Sequence, residues 1–175
     1  MGEAGDRVFT VIQGEVHVTD DPNVVFTTPL GSCVSACIFD PHAGVGGMNH
    51  FLLVGEPGRH RGGNHDQYGV YAMPSLVTEL LRMGGRIGRM QAWLFGGGSH
   101  FVAGRDVGHD NADFAEDYLH DMGIEIVGAD LRTRVARSVS FRPATGDAWL
   151  RTFPRRDPPV FASRPAQQVA RGLRI

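Results

Sequence analysis

The chain of 175 residues has no lysine, only two cysteines and no apolar run approaching the roughly 18 to 20 residues that cross a bilayer. Each shortage excludes something. Without lysine there is no phosphate loop of the Gly-Lys-Ser/Thr kind, so Gly96-Gly97-Gly98-Ser99 reads as a tight turn or a place of close packing. Two cysteines this close, Cys33 and Cys37, do not make the disulfide framework of a secreted domain, which leaves reduced thiols. The first ten residues carry acidic side chains where a signal peptide is basic and then apolar. A cytoplasmic protein with no integral membrane segment is therefore expected. No self-similar period points to a repeat architecture.

What is present is an ordinary globular composition, 42% hydrophobic and 21% charged, which rules out a chain disordered or fibrous throughout. The net charge of −2 gives no global attraction to nucleic acid, but the charge is unevenly spread. Residues 1–150 hold eleven arginines against eighteen acidic residues, whereas residues 151–175 hold six arginines against Asp157 alone. The expected organisation is one folded domain over residues 1–153 and a flexible, basic, Pro/Arg-rich tail over residues 154–175, solvated rather than bound to membrane or nucleic acid.

Strand patterns cover Val8 to Val18, Val24 to Thr28, Cys33 to Phe39, Val45 to Val54, Met90 to Phe95, Ile124 to Val127, Val135 to Phe141 and Ala148 to Phe153. The apolar positions Met73, Leu76, Val77, Leu80 and Leu81 form one helical stripe starting near Pro74 and ended by Gly84-Gly85. A second helix opens at Asn111, turns Ala115, Leu119 and Met122 inward and is capped by Gly123. About eight strands with two main helices predict a mixed, largely antiparallel α/β fold, an α/β/β sandwich.

Asp40-Pro41-His42-Ala43-Gly44 is a turn signal between two strand patterns, so the flanking segments form a hairpin. With the turn centred on Pro41 to Ala43, Cys33 lies level with His50 or Phe51, and directly opposed side chains are about 5 Å apart at Cβ. A one-residue slip separates the two onto opposite faces. A thiol of ordinary pKa is only a few per cent ionised at neutral pH, and an adjacent imidazole both accepts its proton and later protonates a departing amine. On spacing alone a buried structural cysteine beside a core histidine is the commoner arrangement.

The surrounding text changes that balance. Thr27-Thr28-Pro29-Leu30-Gly31-Ser32-Cys33-Val34, Asp40-Pro41 and Gly46-Gly47-Met48-Asn49-His50-Phe51 resemble the signature of the CheD family of receptor glutamine deamidases. The likeness continues in Tyr71-Ala72, Phe95-Gly96-Gly97-Gly98, Gly108, Asn111 and Ala136-Arg137-Ser138-Val139, and covers about residues 8–152. It implies a protein-glutamine glutaminase with Cys33 as nucleophile, His50 as acid–base partner and Thr27 orienting the imidazole, Thr28 being the adjacent competitor. It also implies methyl-accepting chemotaxis receptors as substrates, a CheC-type phosphatase as a partner, and a thioester route open to methyl-ester hydrolysis as well, without metal or organic cofactor. Gly31, Ser32 and Gly47 are expected to bring backbone N–H groups to the substrate and to an oxyanion hole. Two departures stand out: Pro29 replaces the family's usual glycine, and residues 130–134 lack its paired glycines.

Two other readings compete. The histidines, notably His60, His65 and Asp66 or His100, His109 and Asp110, lack the spacing of a helical metal-ligand pair. A non-catalytic binding module that docks on receptors or on a CheC-type phosphatase would keep Cys33 only as a core residue.

Overall fold

The computed structural model describes residues 5–59 and 63–153. The basic tail expected over residues 154–175 lies outside them, as does His60. Eleven strands are formed among the described residues: β1 (Arg7–Thr10), β2 (Glu15–Thr19), β3 (Val24–Leu30), β4 (Val34–Asp40), β5 (Val45–His50), β6 (Gln91–Gly96), β7 (Phe101–Val102), β8 (Arg105–Asp106), β9 (Glu125–Leu131), β10 (Ala136–Arg142) and β11 (Asp147–Phe153), with helices α1 (Gly69–Arg82) and α2 (Val107–Asp121). A five-stranded sheet runs β2-β5-β4-β6-β9, a four-stranded sheet runs β1-β3-β10-β11, and β7 and β8 form a small hairpin of their own. Most pairings are antiparallel; β1 with β3 and β6 with β9 are parallel.

Strand alternation explains the layering. On β4, Val34, Ala36 and Ile38 join one apolar cluster with Met73, Leu76, Val77 and Leu80 of α1 and Ala112, Ala115 and Leu119 of α2. Cys33, Cys37 and Phe39 join the other with Val24, Phe26 and Leu30 of β3 and Val139 and Phe141 of β10. The five-stranded sheet thus lies between the helices and the four-stranded sheet, and β4 is buried along its whole length. This is the mixed, largely antiparallel α/β/β sandwich the sequence predicts.

Several local expectations are corrected. The apparent strand from Val8 to Val18 is two strands in different sheets, broken by a turn at residues 11–14. Helix α1 begins five residues before Pro74, and Leu81 is 43% exposed because it sits about 90° around the helix from the centre of the buried stripe. Helix α2 begins at Val107, capped by Asp106, whose carboxylate accepts from the Gly108 and His109 N–H groups. Asn111 is therefore interior to the helix, and its side chain is free for another task. Pro29 does not divert the chain: β3 runs through it in register with Ser138, and Pro29 is exposed.

Candidate functional site

The β4–β5 register places Cys37 opposite Met48 and Asp40 opposite Val45, and a further bridge joins Val34 to Phe51. Cys33 therefore falls level with Leu52 rather than with His50 or Phe51. The offset from a direct Cys33–His50 pairing is two residues, an even number, so both side chains keep the same face in diagonal positions. That face is the one between the two sheets. Cys33 is 6% exposed and His50 4% exposed.

The imidazole is oriented from the opposite sheet. Thr28 Oγ1 lies 2.8 Å from His50 Nδ1 and donates to the Val11 carbonyl at 2.7 Å. The same carbonyl is 3.4 Å from Nδ1. With the single hydroxyl proton committed to Val11, the Thr28 oxygen is left to accept, and both neighbours of Nδ1 are acceptors. The proton of a neutral imidazole therefore resides on Nδ1, and Nε2 carries the lone pair. His50 Nε2 is one of three buried side-chain polar atoms without a hydrogen-bond partner among the described residues. A buried basic nitrogen left without a donor is costly for stability and suited to taking a proton.

The hydroxyl beside His50 Nδ1 is that of Thr28, the neighbour of the expected Thr27. Along β3, Val24, Phe26 and Leu30 face the inter-sheet core, so Thr28 shares their face and Thr27 takes the other. Thr27 Oγ1 instead donates to the Val139 carbonyl at 2.9 Å on the neighbouring strand.

The segment before β4 is fixed through its carbonyls. Gly98 N–H donates to Gly31 O at 2.8 Å and Gly97 N–H to Cys33 O at 2.8 Å. The Asn111 amide donates to Ser32 O at 3.1 Å and to Leu52 O at 2.8 Å. In a trans peptide the carbonyl and the following N–H point in opposite directions, so anchoring the Gly31 and Ser32 carbonyls turns the Ser32 and Cys33 N–H groups away from the anchors. A Cβ added at Gly31 would meet nothing within 4 Å, so space is open there. Gly96 has φ +111° and passes so close to this segment that a Cβ would lie 2.0 Å from Cys33 O. Gly47 has a different place: it is paired on both sides within the sheet, and a Cβ on it would strike Leu76 of α1 and His17 O, so it packs the helix face and does not reach the Cys33 face.

Three groups were not singled out by the sequence: Gln13, the Asn111 amide in this anchoring role, and the Gly97 and Gly98 N–H groups. Gln13 Nε2 donates to Cys33 Sγ at 3.2 Å. Its turn is tied to the site, since Gly14 N–H donates to His50 O at 2.8 Å. Only the break between β1 and β2 brings it here.

Burial pushes the Cys33 thiol pKa up, opposed by the Gln13 hydrogen bond and the residue's own backbone N–H. Burial pulls the His50 imidazole down, opposed by the Val11 carbonyl. Both shifts favour a neutral thiol and a neutral imidazole. Side chains of the competing metal reading have other partners: Asp66 accepts from Ser75, Asp110 pairs with Arg105, and His109 lies 3.7 Å from Asp106. Among the described residues no three His, Cys, Asp or Glu side chains gather to hold a metal ion. The stretch 130–134, where the glycine pair is missing, is held by the buried Arg137, which bonds Asp130, Thr133 and Val135 O.

A buried thiol and an oriented imidazole on one sheet face make a cysteine–histidine site of the kind used for acyl transfer. A family model described as CheD chemotactic sensory transduction matches residues 54–152. The probable chemoreceptor glutamine deamidase CheD of Caulobacter sp. (strain K31) is 48% identical over 160 residues, 91% of this chain and 85% of that protein. An alignment of that length spans both Cys33 and His50. The proteins of the same description from Caulobacter vibrioides (strain NA1000 / CB15N) and Acidiphilium cryptum (strain JF-5) are 53% identical over 78% of this chain and 73% of that protein, and 44% identical over 94% and 88%. The chain belongs to the CheD family. No helix among the described residues is long and apolar enough to cross a membrane.

Proposed function

We propose that this protein hydrolyses glutamine side-chain amides of chemoreceptors, with Cys33 as nucleophile, His50 as general base and acid, and Thr28 as the residue that positions His50. The observation that carries this reading is the unpartnered, buried Nε2 of His50 on the Cys33 face, its tautomer set by Thr28 and Val11. The substrate follows from the family, whose members named above are described as chemoreceptor glutamine deamidases.

In the proposed reaction, Cys33 Sγ attacks the carboxamide carbon while its proton passes to His50 Nε2. The oxyanion that forms is met by the outward-turned N–H groups of Ser32 and Cys33, with the open flank of Gly31 admitting the side chain. As the tetrahedral intermediate collapses, Nε2–H returns the proton to the departing nitrogen, releasing ammonia and leaving a thioester. A water molecule then gives one proton to Nε2 and its oxygen to the acyl carbon, and the sulfur leaves as a thiol. The sum is amide plus water to carboxylic acid plus ammonia, with no metal or organic cofactor in any step. A methyl ester would follow the same path with methanol leaving. On the receptor a neutral amide becomes a carboxylate, which adds negative charge to the surface that carries the signal.

Mass spectrometry of purified receptor cytoplasmic fragments, incubated with the protein and with Cys33→Ala, tests this. The expected result is conversion of specific glutamines to glutamates by the wild type alone. No conversion by the wild type across several receptors, with binding retained, would favour a docking module instead.

A further inference from the structure

Among the described residues Gln13 is the one side chain that hydrogen-bonds Cys33 Sγ, at 3.2 Å, and it has no place in the reaction just described. Its functional group is a primary carboxamide at the end of a two-carbon linker, the same group that the proposed reaction acts on. Its backbone cannot easily leave: Gly14 N–H donates to His50 O at 2.8 Å, Asn64 donates to Gly14 O at 2.6 Å, and the Glu15 carboxylate accepts from Ile12 N–H at 3.0 Å. The residue itself is exposed, whereas the thiol beneath it is buried. Its side chain therefore has solvent to swing into and a fixed point to swing from.

We propose that Gln13 marks the subsite for the substrate's carboxamide: its own carboxamide rests in the space that the carboxamide of a bound glutamine side chain takes, and it turns outward when substrate enters. This deepens the deamidase reading and rests on it. In the resting contact it is the nitrogen, not the carbonyl carbon, that faces the sulfur, so Gln13 occupies the subsite without being presented for attack.

The test uses the full-length protein and three forms of residue 13: wild type, Gln13→Ala and Gln13→Met, the last keeping length without the amide. Alkylation of Cys33 by iodoacetamide, followed by peptide mass spectrometry, reads access to the thiol independently of any receptor. Losing one hydrogen-bonded cover speeds alkylation of Gln13→Ala by roughly fivefold. Gln13→Met falls between Gln13→Ala and wild type. On receptor fragments, Gln13→Ala lowers KM for glutamine conversion by a similar factor. Equal or slower alkylation of Gln13→Ala at every pH would overturn the proposal and make Gln13 a donor that merely supports the thiolate. If wild type converts no receptor glutamine while alkylation follows the expected order, the deamidase reading fails and the cover over Cys33 stands.

Discussion

At its turn end the β4–β5 hairpin buries Asp40 with its carboxylate fully engaged, and at its other end it buries His50 with one ring nitrogen left alone. Asp40 Oδ1 accepts from the His42 and Ala43 N–H groups, and Oδ2 accepts from Arg86 N–H and from Arg89. Burial opposes ionisation there, but Arg89 and the three backbone donors outweigh it and hold the carboxyl at about 2. At the other end burial holds His50 below its ordinary value, and Nε2 has no donor. Both groups are nearly inaccessible and lie on the same pair of strands. Complete satisfaction suits a group that fixes the fold, and in the proposed reaction the orphaned lone pair of the His50 ring is the one that takes the Cys33 proton.

Crossed substitutions break or sharpen that contrast most strongly. His50→Leu is expected to lower receptor deamidation by about a hundredfold or more, with stability within about 1 kcal/mol of wild type, since an unpaired polar atom is exchanged for an apolar one. Asp40→Ala should do the reverse, costing about 3 kcal/mol by stranding Arg89 and three N–H donors, while activity per folded molecule survives. Urea unfolding and receptor mass spectrometry on both variants measure this. If Asp40→Ala lost activity without stability, or His50→Leu unfolded, the two ends would not differ as described. The pH dependence has a definite sign. A carboxyl depressed in the folded state stabilises fully above the ordinary carboxylate pKa, and that contribution disappears as pH falls through that range toward about 2. Asp40→Ala should therefore lose more stability at neutral pH than in strong acid.

A smaller effect separates the two threonines. Thr28→Val removes the acceptor that steadies Nδ1–H and should lower kcat by roughly tenfold, the value of one good hydrogen bond. Thr27→Val should change it by less than about twofold, because Thr27 bonds only the adjacent strand. Equal losses in the two would remove Thr28 from its positioning role.

Much of this was legible in the chain. The turn at Asp40 to Gly44, the helical stripe from Met73 and the motif around Cys33 and His50 are short-range patterns, and the sandwich follows from them. The face that each threonine takes is also written there, since Val24, Phe26 and Leu30 alternate in phase with Thr28 and out of phase with Thr27. The turn at residues 11–14 is marked in the sequence only by Gly14 between two short β-rich pieces, and moving from one sheet to the other is decided by tertiary packing. Asn111 was read as a helix start because its true task, holding Ser32 and Leu52, spans residues far apart in sequence. Gly47 looked like a place for substrate approach, whereas the close approach is that of α1.

The central claim is that His50 stands neutral with its proton on Nδ1 and its lone pair on Nε2, ready for Cys33. Nitrogen NMR of the histidine-labelled protein, titrated from neutral to acidic pH, reports both tautomer and charge. The account predicts a protonated Nδ1 and an unprotonated Nε2 for His50, with ionisation only below the ordinary imidazole pKa. A proton on Nε2 in the neutral ring, or an imidazolium already present at neutral pH, would contradict it.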